Sequence, residues 1–113
     1  MPHCIIEYSQ ELEIRISISD LVSAVHQGAK ASGLFAPEDI KTRATPYHYY
    51  QVAESSGTFV HITLRILSGR TPEQKLSLSQ SVHKAAASTL QGVNSVSVEV
   101  LDIDSGSYKK TVT

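Results

Sequence analysis

The sequence predicts an α+β fold: two β-α-β units whose four strands form one sheet with two helices on one face. Three observations predict it. Residues 58–67, TFVHITLRIL, alternate as a strand does, and residues 71–92 read as a capped amphipathic helix. The segments PHCIIEY and VHITLRI each place an apolar residue and a histidine before a mostly aliphatic run, 58 residues apart, as two related units would.

The elements follow in order. HCIIEY, residues 3–8, is short, apolar and partly β-branched, and reads as a strand. In SDLVSAVHQGAKASG, Leu21, Val25 and Ala29 recur at helical spacing and Gly33 closes the run. IKTRATPYHYYQV, residues 40–52, contains Pro46, which removes a ladder donor, so a strand here is interrupted or lies at a sheet edge. In residues 59–67, Val60, Ile62, Leu64 and Ile66 share one face; Phe59, His61, Thr63, Arg65 and Leu67 share the other.

The second helix has the stronger start. Thr71 can cap, Pro72 suits the first helical position because no N–H is needed there, and Gln74 stands where a capping-box side chain reaches back. Leu78, Val82, Ala85, Ala86 and Leu90 make the apolar stripe, and Gly92 ends it. SVSVEVLDI, residues 95–103, alternates as the last strand. Residues 103–113 read as a polar tail with a short edge strand at Tyr108–Val112, and no function is assigned to them.

One domain spanning residues 2–113 is expected, since a chain of 113 residues supports a single core. A net charge of −1 gives no basic footprint for nucleic acid, and no apolar run is long enough to cross a membrane. No signal-peptide pattern opens the chain, so a cytoplasmic protein is expected. Cys4, the single cysteine, excludes an internal disulfide and reads as a small buried hydrophobe. The five histidines lack metal-ligand spacing, and His3 falls on the strand face opposite Pro2. Because both faces of residues 59–67 carry apolar side chains, the open sheet face is expected to be apolar and to drive self-association.

Pro2 raises a chemical question. Methionine aminopeptidases remove an initiator methionine that precedes a small residue, and the mature chain would then begin with the secondary amine of Pro2, a potential base. MPH at the head of a strand, GLF and IKTR in the middle, and FVHITLRILSGRTPEQK before the second helix together resemble the 5-carboxymethyl-2-hydroxymuconate isomerase family of the tautomerase superfamily. The resemblance covers roughly residues 2–100. It implies a homotrimer, no metal or organic cofactor, a small carboxylate substrate, a catalytic terminal proline that shuttles a proton, and arginines that bind carboxylates. Carried onto this chain, Pro2 matches the catalytic proline and Arg70 the arginine before the second helix. The second basic site falls in IKTR, where Lys41 stands in place of an arginine and Arg43 follows on the same side of the strand. Lysine keeps the charge but loses the planar fork that grips a carboxylate through two hydrogen bonds.

These residue types suit the chemistry independently. Moving a proton from an enol oxygen to carbon requires one group that accepts and returns it near neutral pH. A proline amine needs its pKa depressed toward neutrality, which an apolar pocket and a cation such as Arg70 would do. Arg70 beside a helix N-terminus makes most sense with an anion between the two. His48, Tyr49 and Tyr50 either line a pocket at a subunit boundary or pack an interface. The expected function is a cofactor-independent isomerase acting on an unsaturated 2-hydroxy or 2-oxo di- or tricarboxylate, with Pro2 catalytic and Arg70, Lys41 and Arg43 binding substrate. A noncatalytic trimeric anion-binding protein on the same fold is the alternative. Decarboxylation or hydrolytic dehalogenation ranks below both, because no paired carboxylate is evident to activate water.

Overall fold

A computed structural model describes residues 1–113. Its elements are β1 (His3–Ser9), α1 (Ile18–Ala31), β2 (Lys41–Tyr47), β3 (Phe59–Leu67), α2 (Pro72–Ala86) and β4 (Ser95–Ile103). The sheet order is β2-β1-β3-β4, with β1 parallel to β2, β3 parallel to β4, and β1 antiparallel to β3. Each β-α-β unit therefore forms one half of the sheet, joined at its centre. The register carries the repeat: His3 pairs with Arg65 and Glu7 with His61, so the two histidines occupy equivalent places in the two halves.

Burial decides which face takes the helices. Val60, Ile62, Leu64 and Ile66 are fully buried beneath α1 and α2, together with Cys4 and Ile6 of β1. Each large aliphatic side chain so buried contributes about 1.5–3 kcal/mol relative to exposure. Leu21, Val25 and Ala29 of α1 and Leu78, Val82 and Ala86 of α2 close the core from above. The helices approach tightly at Gly28, where an added Cβ would lie 2.9 Å from both Ala85 Cβ and Val82 Cα. Ser81 Oγ donates to the Gly28 carbonyl at that crossing, 2.8 Å away.

Local signals resolve as their chemistry requires. The Thr71 hydroxyl accepts from Gln74 N–H while the Gln74 side chain accepts from Thr71 N–H, a reciprocal cap. Pro46 is tolerated because β2 is an edge strand, where it pairs with Tyr8. Regular helix α2 stops at Ala86 rather than at Gly92, and the chain continues in turns that keep Leu90 buried. A 3₁₀ segment, Gln10–Ile14, buries Leu12 after β1; its single buried residue has no periodic signature in the sequence.

Two expectations are corrected. No strand forms at Tyr108–Val112: the tail leaves β4 as irregular chain and reaches the first residues of β1. The open sheet face is not an apolar surface, because His3, Glu7, His61, Thr63 and Arg65 separate Ile5, Phe59 and Leu67. Alternation in β3 places these polar side chains opposite the buried aliphatic row. No helix is long and apolar enough to cross a membrane.

Candidate active site

The first residue of the chain, the loop after α1, the end of β3, the turn before α2 and the carboxy-terminal tail meet around a cavity of about 410 Å³. Leu34, Phe35, Ala36 and Leu67 supply apolar wall, and Met1, Asp39, Arg70, Tyr108 and Lys110 supply polar groups. Gly69, at φ +122°, forms the turn that delivers Arg70 from β3 to the head of α2; a side chain there would be strained. Arg70 is positioned twice over. One terminal nitrogen donates to the Leu34 carbonyl at 2.7 Å, and the guanidinium carbon lies 5.3 Å from the centre of the Phe35 ring. That leaves further guanidinium donors for an anion in the cavity.

Pro2 is fully buried directly behind Met1, and its carbonyl accepts from Lys41 N–H at 3.1 Å, extending the β1–β2 ladder. The Met1 ammonium donates to the Asp39 carbonyl at 2.9 Å, and Lys41 Nζ donates to the same oxygen at 3.2 Å. The protonated form of this amine is disfavoured relative to a free chain end. Burial lowers the pKa of the terminal amine most, Lys110 lowers it further, and Asp39 opposes them before Lys41 adds to the decrease. Arg70 lines the same cavity but does not contribute to that depression; Lys110 and Lys41 are the cations that do.

Lys110 Nζ reaches Asp39 Oδ1 at 3.1 Å, and this hydrogen bond is the first cause holding the Asp39 carboxyl below its usual range. Tyr108 and Lys110 were the residues that sequence reasoning missed. Their only signal was an aromatic residue and a lysine pair within a segment otherwise rich in Ser, Gly and Asp.

The other basic candidate lies elsewhere. Arg43 points to the open sheet face, where its Nη1 donates to His3 Nδ1 at 3.0 Å, and it does not line the Arg70 cavity. Arg65 shares that second location. Tyr50 donates to Glu11 at 2.8 Å and stacks edge-on against Phe59, while Tyr49 is almost wholly exposed; neither lines a cavity in the single chain. Cys4 is buried beside Thr42, and burial pushes its thiol pKa up, as for an inert core thiol. No three His, Cys, Asp or Glu side chains converge as metal ligands would.

Solved structures share this architecture. A 5-carboxymethyl-2-hydroxymuconate delta-isomerase superposes with a TM-score of 0.84 at 18% identity, covering 100% of this chain and 89% of that one. A 5-carboxymethyl-2-hydroxymuconate isomerase from Deinococcus radiodurans R1 gives a TM-score of 0.77 at 24% identity, covering 99% of this chain and 90% of that one. A fused 4-OT protein, described as a symmetric trimer, gives a TM-score of 0.74 at 17% identity, covering 90% and 85%. At these identities the likeness establishes the fold. No curated protein sequence matches the chain significantly. The family model for 5-carboxymethyl-2-hydroxymuconate isomerase, however, matches residues 2–112, and with that near-complete span the chain belongs to this family of isomerases with the tautomerase fold.

Proposed function

We propose that the protein is a cofactor-independent tautomerase that moves a proton between the enol oxygen and a carbon of an unsaturated 2-hydroxy or 2-oxo di- or tricarboxylate, such as 5-carboxymethyl-2-hydroxymuconate. The observation that carries this reading is the shared cavity, where the chain start, a positioned arginine and Lys110 meet beside apolar wall, with Lys41 bonded to the carbonyl of the lining residue Asp39. Removal of Met1 frees the Pro2 nitrogen, one residue along from an amine whose protonated form burial and nearby cations disfavour. In the uncharged form it takes a proton from substrate; as an ammonium it returns that proton to the other end of the conjugated system. Arg70 holds one substrate carboxylate. Lys41 and Lys110 keep the amine's pKa low and attract the negative charge that develops on the dienolate.

Self-association as a homotrimer is part of the proposal. Trimeric assemblies among proteins of this fold support it, whereas the polar open face gives no hydrophobic argument. Light scattering that reports a stable monomer at micromolar concentration would count against it.

The function is tested on purified protein by intact mass and by turnover of 2-hydroxymuconate and phenylenolpyruvate. Loss of the Met1 mass and measurable ketonisation are expected, with Pro2→Ala reducing turnover by at least about tenfold, the lower range for loss of a general base. Retained Met1, or turnover unchanged in Pro2→Ala, removes the proline mechanism. Anion binding without turnover of either enol would favour the noncatalytic reading.

A further inference from the structure

Beside the Arg70 cavity, on the open face of the sheet, lies a second cleft of about 240 Å³ lined by His3, Arg43, Arg65, Ile103 and Tyr108. Its polar groups come from β2, β1, β3 and the tail, and the central pair, His3 and Arg65, face each other across β1 and β3. Neither Arg43 nor Arg65 makes a salt bridge, although both stand on the same face. Within the chain, both guanidinium groups therefore keep donors that no carboxylate occupies.

The hydrogen bonds determine which atoms are left to bind. Arginine has only donors, so Arg43 Nη1 must donate to His3 Nδ1, 3.0 Å away. Neutral His3 then carries its proton on Nε2 and donates it to Tyr108 Oη, also at 3.0 Å. With its oxygen already accepting, Tyr108 keeps its own O–H free to donate into the cleft. The surroundings favour this neutral imidazole: burial depresses the His3 pKa first, followed by the charges of Arg43, Lys41, the terminal amine and Arg65. The cleft is thus a ring of donors from three directions.

The other half of the protein supplies a comparison. His61, the repeat equivalent of His3, has Glu99 at its Nε2 and Ser97 at its Nδ1. There the fold satisfies a histidine with an acid of its own; at His3 it places two arginines and a tyrosine instead.

We propose that Arg43, Arg65 and Tyr108, with His3 orienting Arg43 and Tyr108, form a binding site for a tetrahedral oxyanion, the phosphate group of inorganic phosphate or of a phosphate monoester. One arginine fork satisfies a planar carboxylate, whereas donors from two arginines and a hydroxyl on separate elements suit an anion with oxygens in several directions. The site needs neither Pro2 nor Arg70; Arg43, which the resemblance placed among the substrate-binding residues, takes this role instead, and Tyr108 stands between the two cavities and lines both.

Isothermal titration calorimetry of the purified protein at low ionic strength tests the site, with inorganic phosphate, phenyl phosphate and malonate as probes. Phosphate is expected to bind, with affinity falling about tenfold or more in Arg65→Gln, the order set by losing one hydrogen bond to a charged group. Tyr108→Phe should also weaken it. Arg70→Ala should retain it, because Arg70 belongs to the other cavity. Tighter binding of phenyl phosphate identifies a monoester as the natural form, and binding of inorganic phosphate alone identifies the free ion. Arg65 is exposed, so its substitution leaves the core intact and unchanged thermal unfolding confirms that the variant is folded. The proposal is overturned if the native protein binds no phosphate, if Arg65→Gln binds it equally well, if Arg70→Ala abolishes binding, or if malonate binds more tightly than either phosphate.

Discussion

Lys110 Nζ lies 3.1 Å from Asp39 Oδ1, joining residues 71 positions apart and fastening the carboxy-terminal tail across the start of the sheet. The tail thereby becomes a wall of the Arg70 cavity. Because the ammonium stabilises the ionised carboxylate, Asp39 titrates below the ordinary aspartate range. A carboxyl with a depressed folded pKa adds stability above its unfolded pKa, and that contribution is lost as pH falls through the folded value. In Lys110→Ala the midpoint of Asp39 should therefore rise toward the ordinary range, as read by carbon-detected NMR titration of the carboxyl. A midpoint unchanged from the native protein would show that the contact does not form in solution.

The helix crossing at Gly28 gives a stability prediction. Alanine has the better helix propensity by up to about 1 kcal/mol. Its Cβ, however, would lie 2.9 Å from the Val82 Cα, which cannot move without shifting α2. Overpacking of this kind costs about 1–3 kcal/mol, so Gly28→Ala should be destabilised in urea by the difference between the two effects. An increase in stability would mean that the helices separate at little cost.

What could be read in advance was local. The alternation of Val60 to Ile66 and the Thr71–Gln74 cap each express their physics within a few residues, so strand, helix and cap were legible. The resemblance points to Pro2 and Arg70, and the cavity places Arg70 beside the chain start. Tyr108 and Lys110 were not, because a tail without periodicity reveals its contacts only when the sheet places His3 and Asp39 beside it. The open face was misread for a related reason: counting Phe59 and Leu67 as an apolar surface ignored the polar side chains that alternation sets between them. Arg43 and Lys41, two residues apart on one strand, were grouped as one basic site, yet the first turns to His3 and the second to the Asp39 carbonyl.

His3 offers a pH signature. Its folded pKa is lowered, first by burial and then by Arg43, so the unfolded chain binds a proton more readily than the folded one. Stability therefore rises with pH across the interval between the folded and unfolded values, and falls as pH drops below the ordinary histidine range. Nitrogen-15 NMR of the ring should show Nε2 protonated and Nδ1 bare at neutral pH. Arg43→Gln should raise the His3 midpoint. An Nδ1–H tautomer in the native protein would contradict the Arg43 hydrogen bond.

Arg70 and Lys110 share a cavity but should affect catalysis differently. Arg70 is fixed by Leu34 and Phe35 with donors left for a carboxylate, so Arg70→Ala should lower kcat/KM by about 2–4 kcal/mol, the order for removing one partner of a hydrogen-bonded charge pair. Lysine at this position should restore only part, since it keeps the charge without the fork. The acidic limb of the pH profile is expected to stay in place, because Arg70 is not among the charges that depress the Met1 amine, the neighbour of the Pro2 nitrogen in the unprocessed chain. Lys110 is among them. Its replacement by alanine removes a cation and leaves Asp39 uncompensated, and both changes favour the protonated amine. The amine must be uncharged to act as a base, so in Lys110→Ala the acidic limb of kcat/KM should move to higher pH. If Arg70→Ala moves that limb and Lys110→Ala does not, the field on the terminal amine comes from the arginine and the tail serves only as a wall.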